Sequence, residues 1–512
     1  MTASSVPPPP PAASADGKGL ASGKLGLLGS TVMGLASTAP VYSLVATLGF
    51  VITAVGVQAP IAFIVAFVPM LFIAFAYREL NRAVPDCGTT FTWATKAFGP
   101  WVGWLGGWGV AVAGIIVLAN LAQIAGIYFW LLLGQTELSE NTVVVTITGV
   151  VFIAAMVYVS YRGIEIGERL QNVLLGIQYL ALALFVIFAF GSVVMGTAPD
   201  GATPVGIDWF NPFGFTSFDG FTEAVLLALF IYWGWDTCLA LNEETKDPKR
   251  IPGQAALLSI LVLMFTYVAV AVAAIAYAGV DTLADQDDVF LVVKDALFGP
   301  WAWLLVLAVL ISAVSSTQTT VLPTARGTLS MAVYKALPAR FGQVHPKYRT
   351  PGFSTLVMGV VAIAFYVGMT FVSENLLADS IYSLGLAIAF YYAITGYACV
   401  WYFRRELFTS ASNFFFKFLF PLLGAALLTA AFVKSAIDML DPDYGYTVLL
   451  GVGGVFVIGV GSLLLGVVLA VVWALMPGSR PFFRGESLNE DTPVLVPEDP
   501  GEVTRSVDGG RA

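Results

Sequence analysis

One ionisable residue lies inside an apolar stretch of the chain, where a carboxylate could carry chemistry. Asp236 directly follows the sequence FIYWGW at residues 230–235, and apolar residues continue on both sides. A charged carboxylate at the centre of a bilayer costs about 2.5–3.5 kcal/mol on insertion scales. Lipid offers no hydrogen-bond partner, so such a group is tolerated only where it lines a cavity in the protein. Asp236 is therefore a candidate proton carrier or a partner for a cationic ligand group. Alternatively, its side chain secures an interrupted helix by hydrogen bonds.

The aromatic residues before Asp236 are the first set of candidate ligand-binding groups. Gly234 can interrupt the helix, and an interruption frees backbone carbonyls for a ligand. Trp and Tyr usually prefer the membrane interface, whereas this cluster lies at the centre of an apolar span. The alternative is an aromatic-rich helix that is packed or faces lipid. The candidate binding residues of this segment are Phe230, Ile231, Tyr232 and Gly234.

A second apolar span, near the start of the chain, contains a similar interruption. Residues 29–40 read GSTVMGLASTAP, in which Gly34 could allow the helix to unwind before Pro40. Two interrupted segments at corresponding places in two halves of a chain are the best sequence indication of a transporter's binding site. The alternative is that these small residues only permit close helix packing. The backbone groups predicted to contact a ligand belong to Met33, Gly34, Leu35, Ala36 and Ser37.

Composition identifies the kind of protein that must position these segments. Of 512 residues, 58% are hydrophobic and 11% are charged, which excludes a soluble globular protein. A helix that crosses a bilayer needs about 20 apolar residues. Apolar stretches of sufficient length predict an all-α membrane protein with twelve transmembrane helices. The predicted spans are 26–52, 56–77, 99–133, 142–161, 169–196, 222–242, 252–279, 300–336, 352–372, 379–403, 414–436 and 446–476.

The chain therefore divides into a twelve-span domain, residues 25–476, and two polar ends. Residues 1–24 are rich in Pro, Ala and Ser and lack the pattern of a signal peptide, so we expect a disordered cytoplasmic segment. Residues 477–512 are acidic and contain Pro and Gly, so we expect a disordered cytoplasmic tail.

Charge distribution predicts the orientation, because Lys and Arg accumulate in cytoplasmic loops. With both termini inside, the outer loops hold only Lys294 and, at a span edge, Lys434. Two outer loops are acidic, with Asp281, Asp285, Asp287 and Asp288 in one and Asp438, Asp441 and Asp443 in the other. The inner loops hold Arg78, Arg82, Lys96, Arg162, Arg169, Lys246, Lys249, Arg250, Lys335, Arg340, Lys347, Arg349, Arg404, Arg405 and Lys417.

Several protein classes are disfavoured by the same counts. The single histidine, His345, falls in a polar loop, and Cys87, Cys238 and Cys399 lie far apart, so we expect no enzyme, no cofactor and no certain metal site. A formal charge of −9 without a basic stripe gives no indication of nucleic-acid binding. A sensor that binds a ligand without moving it remains a distant alternative to a carrier.

Five sequence stretches resemble the amino acid–polyamine–organocation superfamily of permeases, which share the leucine-transporter fold. Together they are specific, although each alone is weak. They are YREL at 77–80, PDCGTTFTW at 85–93, GERLQNV at 167–173, EETKDPKR at 243–250 and HPKYRTP at 345–351.

The resemblance implies two inverted five-helix repeats, spans 1–5 and 6–10, followed by two extra helices. It also implies a small-molecule substrate held at the midplane of the plasma membrane, between unwound segments of spans 1 and 6, and moved by alternating access. An amino acid suits such a pocket, because a helix N-terminus attracts its carboxylate and freed carbonyls attract its ammonium. A polyamine or other organic amine, or exchange of amino acids, is the alternative.

Coupling to an ion is less determined. Some proton-coupled relatives carry a lysine midway along span 5, and Gln178, which cannot titrate, stands at that position here. Ser312, Ser315 and Ser316 in span 8 are similar in spacing to hydroxyls that bind sodium in leucine-transporter-like symporters. These hydroxyls could instead bond to their own helix turns. Sodium coupling, proton coupling and uncoupled transport all stay open.

Two further features have a structural and a functional interpretation. Gly103, Gly107, Ala111 and Gly114 share one face of span 3, which either seats a neighbouring helix or places Gly107 beside the substrate. Arg326, late in span 8, is expected either to extend toward the inner interface or to pair with a carboxylate of the inner gate.

Overall fold

A computed structural model describes residues 17–215, 217–284, 286, 288–372 and 374–495. Within these residues, ten helical segments are long and apolar enough to cross a membrane. The first of them, Leu27–Ala83, contains predicted spans 1 and 2, and predicted span 6 is divided between two shorter pieces. All twelve predicted spans therefore correspond to helical segments, and the chain is an all-α membrane protein. Asp285 and Asp287 lie outside the described residues.

The first five predicted spans and their connections form eight helices among the described residues. Spans 3 and 5 are longer than a bilayer requires. The helices are α1 (Leu27–Thr38), α2 (Pro40–Val55), α3 (Ala59–Ala83), α4 (Thr90–Phe98), α5 (Pro100–Leu132), α6 (Thr136–Ser139), α7 (Thr142–Arg162) and α8 (Ile164–Met195). Short 3₁₀ segments lie at Gly56–Gln58 and Ile207–Phe210.

Spans 6–10 and their connections also form eight helices among the described residues. They comprise α9 (Phe218–Ile231), α10 (Thr237–Ala240), α11 (Ile251–Ala278), α12 (Val280–Leu283), α13 (Val289–Phe298), α14 (Trp303–Val333), α15 (Gly352–Val372) and α16 (Glu374–Tyr402). Short 3₁₀ segments lie at Asn242–Glu244, Gly299–Trp301 and Ala339–Gly342.

The last two spans complete the bundle. They comprise α17 (Ala411–Asn413), a π-helical turn at Phe414–Leu419, α18 (Phe420–Asp438) and α19 (Gly454–Leu475), and α20 (Arg480–Phe483) follows. Two short antiparallel strands, β1 (Val448–Leu449) and β2 (Val452–Gly453), join α18 to α19.

An identical local pattern occurs in both halves. The sequence FGPW stands at residues 98–101 and again at 298–301, each time between a short helix and a long one. Gly99 and Gly299 both have positive φ, 93° and 50°. Pro100 begins α5, and Pro300 is the second residue of the 3₁₀ turn Gly299–Trp301. The recurrence supports the two-repeat organisation implied by the resemblance.

Span 1 is interrupted, but not where the sequence predicted. Residues Met33–Ser37 are helical within α1, and the helix ends at Thr38. Ala39 adopts a left-handed conformation with φ 51° and ψ 63°, and α2 starts at Pro40. Because proline has no N–H, it cannot continue the hydrogen bonds of α1. The prediction that Gly34 unwinds the helix is therefore wrong, and the interruption lies at Ala39.

Span 6 is interrupted as predicted. Helix α9 ends at Ile231, α10 begins at Thr237, and the residues between them form turns. Gly234 has a φ of 113°, a conformation that side-chain-bearing residues rarely adopt.

The two described ends of the chain lie together on one face of the bundle, here called the terminal face, and both are packed. Leu20 and Leu25 are buried near the start of the chain, and Phe482 and Leu488 are buried near its end. Residues 17–24 and 477–495 are therefore packed, contrary to the predicted disorder, and the rest of that prediction, residues 1–16 and 496–512, lies outside the described residues. The reason is that isolated apolar side chains in these polar segments pack against the helices. Phe482, for example, stacks on Phe91 of α4.

Candidate functional site

The two interruptions touch each other. A Cβ built on Gly234 would lie 2.8 Å from the carbonyl carbon and oxygen of Ser37 and 3.0 Å from the nitrogen of Thr38. Such distances are shorter than real Cβ atoms show, so the backbones are in direct contact. The hydroxyls of Ser37 and Thr237, 2.8 Å apart, add a hydrogen bond between the spans. Position 234 therefore needs glycine both for its φ and for this approach.

Gly34 contributes close packing instead of unwinding. A Cβ at this position would lie 2.8 Å from Ser259 Oγ and 3.2 Å from the backbone oxygen of Trp235. Gly34 thus lets α1 approach both α11 and the unwound part of span 6. Met33 packs in a different cluster, with Leu25 and Leu241 toward the terminal face. Leu35 and Ala36 are buried within the main core.

Backbone groups at the end of α1 are bonded to nearby side chains. The carbonyl of Ser37 accepts a hydrogen bond from Ser316 Oγ at 2.8 Å. The carbonyl of Thr38 accepts one from Ser43 Oγ at 2.7 Å. On the other side of the interruption, the N–H of Tyr42 donates to Ser312 Oγ at 3.2 Å. Two hydroxyls of α14 therefore face the interruption of span 1.

Ser315 faces a different helix from its two neighbours in the predicted sodium site. Its hydroxyl donates to Gln171 Oε1 of α8, and Gln171 Nε2 donates back to the Ser315 carbonyl at 3.0 Å. Gln178, two turns further along α8, is fully buried, and neither polar atom of its side chain has a hydrogen-bond partner among the described residues. The structure thus brings Ser312 and Ser316, but not Ser315, to the interruption.

Two backbone carbonyls of span 6 that were predicted to bind a ligand already accept hydrogen bonds within the protein. Phe230 O accepts from Trp233 N at 3.1 Å, and Ile231 O accepts from Tyr267 Oη at 2.7 Å. The ring of Tyr232 is fully buried and its hydroxyl donates to Phe63 O at 3.1 Å. These residues hold the end of α9 in place.

Asp236 is held by two tyrosines of α16. Its Oδ1 accepts from Tyr392 Oη at 3.0 Å and its Oδ2 from Tyr391 Oη at 3.2 Å. Tyr391 in turn accepts a hydrogen bond from Trp233 Nε1 at 2.5 Å. Asp236 as a whole residue is 8% exposed, and no lysine, arginine or histidine among the described residues forms an ion pair with it.

Aromatic rings surround this carboxylate. Tyr77 of α3 meets Trp235 and Tyr392 edge-on, with ring centroids 5.2 Å and 5.6 Å away. Trp93 of α4 closes the other side of Tyr77, with centroids 5.2 Å apart. Tyr77, Tyr391 and Tyr392 were not among the site residues predicted from the sequence. The consecutive tyrosines in an otherwise apolar span were the available signal.

Gly107 lies at a separate place. A Cβ there would lie 3.0 Å from Met331 Sδ and 3.2 Å from Phe91 Cβ. Gly107 lines a small cavity between α5 and α14, together with Gly88, Thr89, Val110, Ala111, Pro323, Thr324, Gly327 and Thr328. Its predicted place beside the two interruptions is not what the structure shows, because the glycine face of α5 packs on α4 and α14.

A buried ion cluster, which was not predicted from the sequence, occupies the terminal face. Lys18 Nζ lies 2.7 Å from Asp86 Oδ2 and 2.6 Å from Glu243 Oε1, with all three side chains almost completely buried. Cys87 N–H also donates to Glu243 at 2.9 Å. The segment before span 1 is thereby joined to the loop after α3 and to the exit of span 6. A lysine in a low-complexity end gave no sequence signal.

Burial and charge act in opposite directions on these groups. Burial lowers the pKa of Lys18, but attraction to Asp86 and Glu243 outweighs burial and leaves the pKa raised well above 10.5. Burial raises the pKa of Asp86, but Lys18 and hydrogen bonds from Ser330 and Gly88 bring it below 3.8. The pKa of Glu243 is raised above 4.5, because burial and repulsion by Asp86 outweigh the attraction of Lys18.

Arg326 forms the second buried pair on this face. Its Nε and Nη2 donate to Glu244 at 2.7 and 3.0 Å, and both side chains are fully buried. Of the two expectations for Arg326, extension toward the interface or pairing with an inner-gate carboxylate, the structure shows pairing, with Glu244 just after span 6.

Comparison with known proteins decides the family. Residues 25–458 match the family described as amino acid permease, which covers both interrupted spans and the loops between them. The chain belongs to the amino acid permease family. An uncharacterized transporter of Mycobacterium tuberculosis is 28% identical to this permease over 347 residues, or 67% of this chain and 73% of the relative.

Two relatives of this permease have named substrates. The low-affinity putrescine importer PlaP of Escherichia coli is 24% identical over 420 residues, covering 80% of this chain and 88% of the relative. The branched-chain amino acid permease BcaP of Bacillus subtilis is 23% identical over 321 residues, covering 59% and 65%. The permease is therefore a multi-pass membrane transporter of the amino acid and polyamine type, and not an enzyme.

Proposed function

We propose that this permease is a secondary active transporter that moves amino acids or related amines across the plasma membrane by alternating access. The substrate would be held beside the interruptions of spans 1 and 6. The observation that carries the proposal is the contact of Gly234 with Ser37 and Thr38. Two half-helices that meet inside the bilayer supply free dipole ends and can rotate without unfolding a continuous helix.

The terminal face would be cytoplasmic and would form the inner gate. The excess of Lys and Arg in the loops on this side supports the orientation. The pairs Lys18–Glu243 and Arg326–Glu244 link the segment before span 1, the exit of span 6 and α14. Opening toward the cytoplasm would separate the segment before span 1, the exit of span 6 and α14. Both buried ion pairs would have to break in that step, so they stabilise the state in which the inner gate is closed.

Coupling by proton or sodium would act through the contact between α14 and span 1. Ser316 Oγ and the carbonyl of Ser37 are hard oxygen ligands of the kind that sodium prefers. Gln178 cannot carry a proton, which places any protonation elsewhere. Uptake with an imposed sodium gradient, compared with an imposed pH gradient, separates the two couplings, and uptake that responds to neither indicates exchange or uniport.

Counterflow in proteoliposomes tests the function. Liposomes preloaded with unlabelled leucine, alanine, lysine or putrescine should accumulate the same labelled compound for at least one substrate. Gly234→Ala should abolish counterflow, because its Cβ meets backbone atoms that cannot move aside. Gly176→Ala is the control, since a Cβ there meets nothing within 4 Å. Binding without counterflow would identify a sensor, and no saturable counterflow would contradict the proposal.

A further inference from the structure

We propose that residues 480–495, here called the C-terminal strap, form an autoinhibitory contact that holds the inner gate closed and limits the rate of transport. The inference rests on the proposed function, because it assigns a regulation to the inner gate. The strap follows α19, crosses the terminal face and ends beside the buried ion cluster around Lys18.

Two apolar side chains anchor the strap to the helix ends. Phe482 and Leu488 are completely buried, and both pack in one cluster with Phe91, Trp104 and Met331. These last three residues belong to α4, α5 and α14. Removal of apolar surface from water is the main favourable contribution to such contacts. The strap is therefore attached to three helices at once.

A lysine of α4 binds the backbone of the strap. The ammonium of Lys96 donates to three carbonyls, at 3.0, 3.0 and 2.7 Å, those of Asn489, Glu490 and Thr492. An ammonium has three N–H donors, and this turn of the strap offers one acceptor for each of them. Asn489 Oδ1 shapes the turn by accepting from the N–H groups of Asp491 and Thr492, each at 3.0 Å. The strap therefore presents a preformed turn that fits a lysine ammonium.

The end of the strap reaches the ion cluster of the inner gate. Leu495 O lies 3.4 Å from Lys18 Nζ, which also bonds to the two carboxylates of the cluster. The N–H of Leu495 donates to Tyr334 Oη at 3.4 Å, and this hydroxyl donates to Asp86 at 2.9 Å. The strap thus contacts both the segment before span 1 and the end of α14, which separate when the inner gate opens.

The strap favours the closed gate by shielding the ion cluster from water. Attraction between buried charges weakens when water reaches them, because water raises the local dielectric constant. With the strap in place, the side chains of Lys18, Asp86 and Glu243 are almost completely buried. Detachment of the strap uncovers this cluster and removes a hydrogen bond of Lys18. The ion pairs then weaken, and the gate opens more readily.

Substitutions in the full-length permease test the inference. Leu488→Gln places an amide in an apolar site, so it should detach the strap. Lys96→Met removes three hydrogen bonds from α4 without changing the strap itself. Glu486→Gln, at an exposed position two residues from Leu488, is the matched control.

Trypsin reports detachment independently of transport. Within the strap, Arg484 is exposed, whereas Arg480 precedes a proline, a bond that trypsin cleaves poorly. A protease needs an extended chain around the bond, so cleavage at Arg484 follows the population in which the strap is detached. Cleavage should be at least about tenfold faster in Leu488→Gln and Lys96→Met than in the wild type. It should be unchanged in Glu486→Gln, with all rates corrected for those of the denatured chains.

Counterflow and thiol labelling report the state of the gate. Detachment should raise the initial counterflow rate at least about threefold in Leu488→Gln and Lys96→Met, because the open state becomes more populated. It should also accelerate maleimide labelling of Cys87 in a Cys238→Ser/Cys399→Ser background. Cys87 is buried and donates its N–H to Glu243 at 2.9 Å, so its labelling reports opening beside the ion cluster. Glu486→Gln should behave as the wild type in both assays.

Two outcomes overturn the inference. Faster cleavage at Arg484 with unchanged or slower counterflow and labelling would show that the strap only stabilises the fold. Unchanged cleavage in both Leu488→Gln and Lys96→Met would show that these contacts do not hold the strap. Faster Cys87 labelling in the two variants, without counterflow of any compound in variants or wild type, would support the inference and contradict only the proposed transport.

Discussion

Lys18 and Asp86, 68 positions apart in the chain, form a buried ion pair with Nζ 2.7 Å from Oδ2. Asp86 also accepts hydrogen bonds from Ser330 at 2.7 Å and Tyr334 at 2.9 Å, both at the end of α14. The C-terminal segment reaches the same place, because Leu495 O lies 3.4 Å from Lys18 Nζ. One lysine therefore holds both described ends of the chain to the helices that surround the exit of span 6.

Removing the charge of Lys18 should open the terminal face. Lys18→Met leaves Asp86 and Glu243 buried without a cation, a situation that costs about 3–5 kcal/mol and favours detachment of the segment. Cys87, which is buried directly beside the cluster, then becomes accessible. We expect at least about tenfold faster maleimide labelling of Cys87 in a Cys238→Ser/Cys399→Ser background.

Whether the labelling of Cys87 becomes faster or slower distinguishes exposure of the thiol from a change in its pKa. Burial and Glu243 raise the pKa of the Cys87 thiol, and Lys18 opposes them. Loss of Lys18 alone would therefore raise that pKa further and slow labelling if the site stayed closed. Faster labelling thus reports exposure, and slower or unchanged labelling would contradict a holding role for Lys18.

The two carboxylates of the cluster should respond differently to acid. In Asp86→Asn, only Glu243 holds Lys18. Burial is the largest influence on Glu243 and raises its pKa, so in the mildly acidic range this carboxylate is protonated more readily than Asp86 would be. Acidification should therefore release the segment and accelerate Cys87 labelling, after correction for the intrinsic thiol rate.

Glu243→Gln is the matched variant. Asp86 has a pKa below 3.8, so it stays ionised over that range and keeps Lys18 attached. Its stabilising contribution is present above its ordinary pKa and is lost only as pH falls through the lowered value. The same acid dependence in both variants would contradict the assignment. In the unmodified permease, Lys18 should keep the N-terminal segment attached beyond pH 10.5, because the pKa of Lys18 is raised.

The pair of Arg326 and Glu244 should be important for stability. Arg326→Gln leaves Glu244 buried without its cation, and we expect a loss of about 3–5 kcal/mol with a clear fall in the thermal unfolding temperature. Arg326→Lys should lose less, because lysine keeps the charge but not the two-pronged geometry. The control is Arg405→Gln at an exposed position, where little change is expected. Equal stability of Arg326→Gln and Arg405→Gln would contradict this role.

The variants Gly34→Ala and Gly234→Ala should differ in whether a second substitution restores stability and uptake. Gly34→Ala places a Cβ 2.8 Å from the Ser259 hydroxyl, so Ser259→Ala should restore part of the stability and uptake. Gly234→Ala places a Cβ against backbone atoms of Ser37 and at a φ of 113°, so removing a side chain should not rescue it. Rescue of both, or of neither, would contradict the assigned packing.

The order and type of elements followed from sequence alone. Long apolar stretches require helices, because a helix satisfies its backbone polar groups without water. Gly234 and Pro40 marked the interrupted spans, since φ above zero and a missing N–H are local properties of those residues. Locality also explains the error in span 1: Gly34 permits unwinding, but packing against Ser259 keeps it helical, and the left-handed residue is Ala39.

Tertiary structure alone decided which side chains meet. Asp236 is bound by Tyr391 and Tyr392, about 155 positions later, and Glu243 is bound by Lys18, 225 positions earlier. Ser315 and Ser316 are adjacent in sequence yet bond to different helices, because successive residues on a helix point about 100° apart. The length of an apolar stretch determines whether it can cross the membrane. Which face of one span meets which face of another depends on the packing of all of them together, and that packing assembled the site around Asp236.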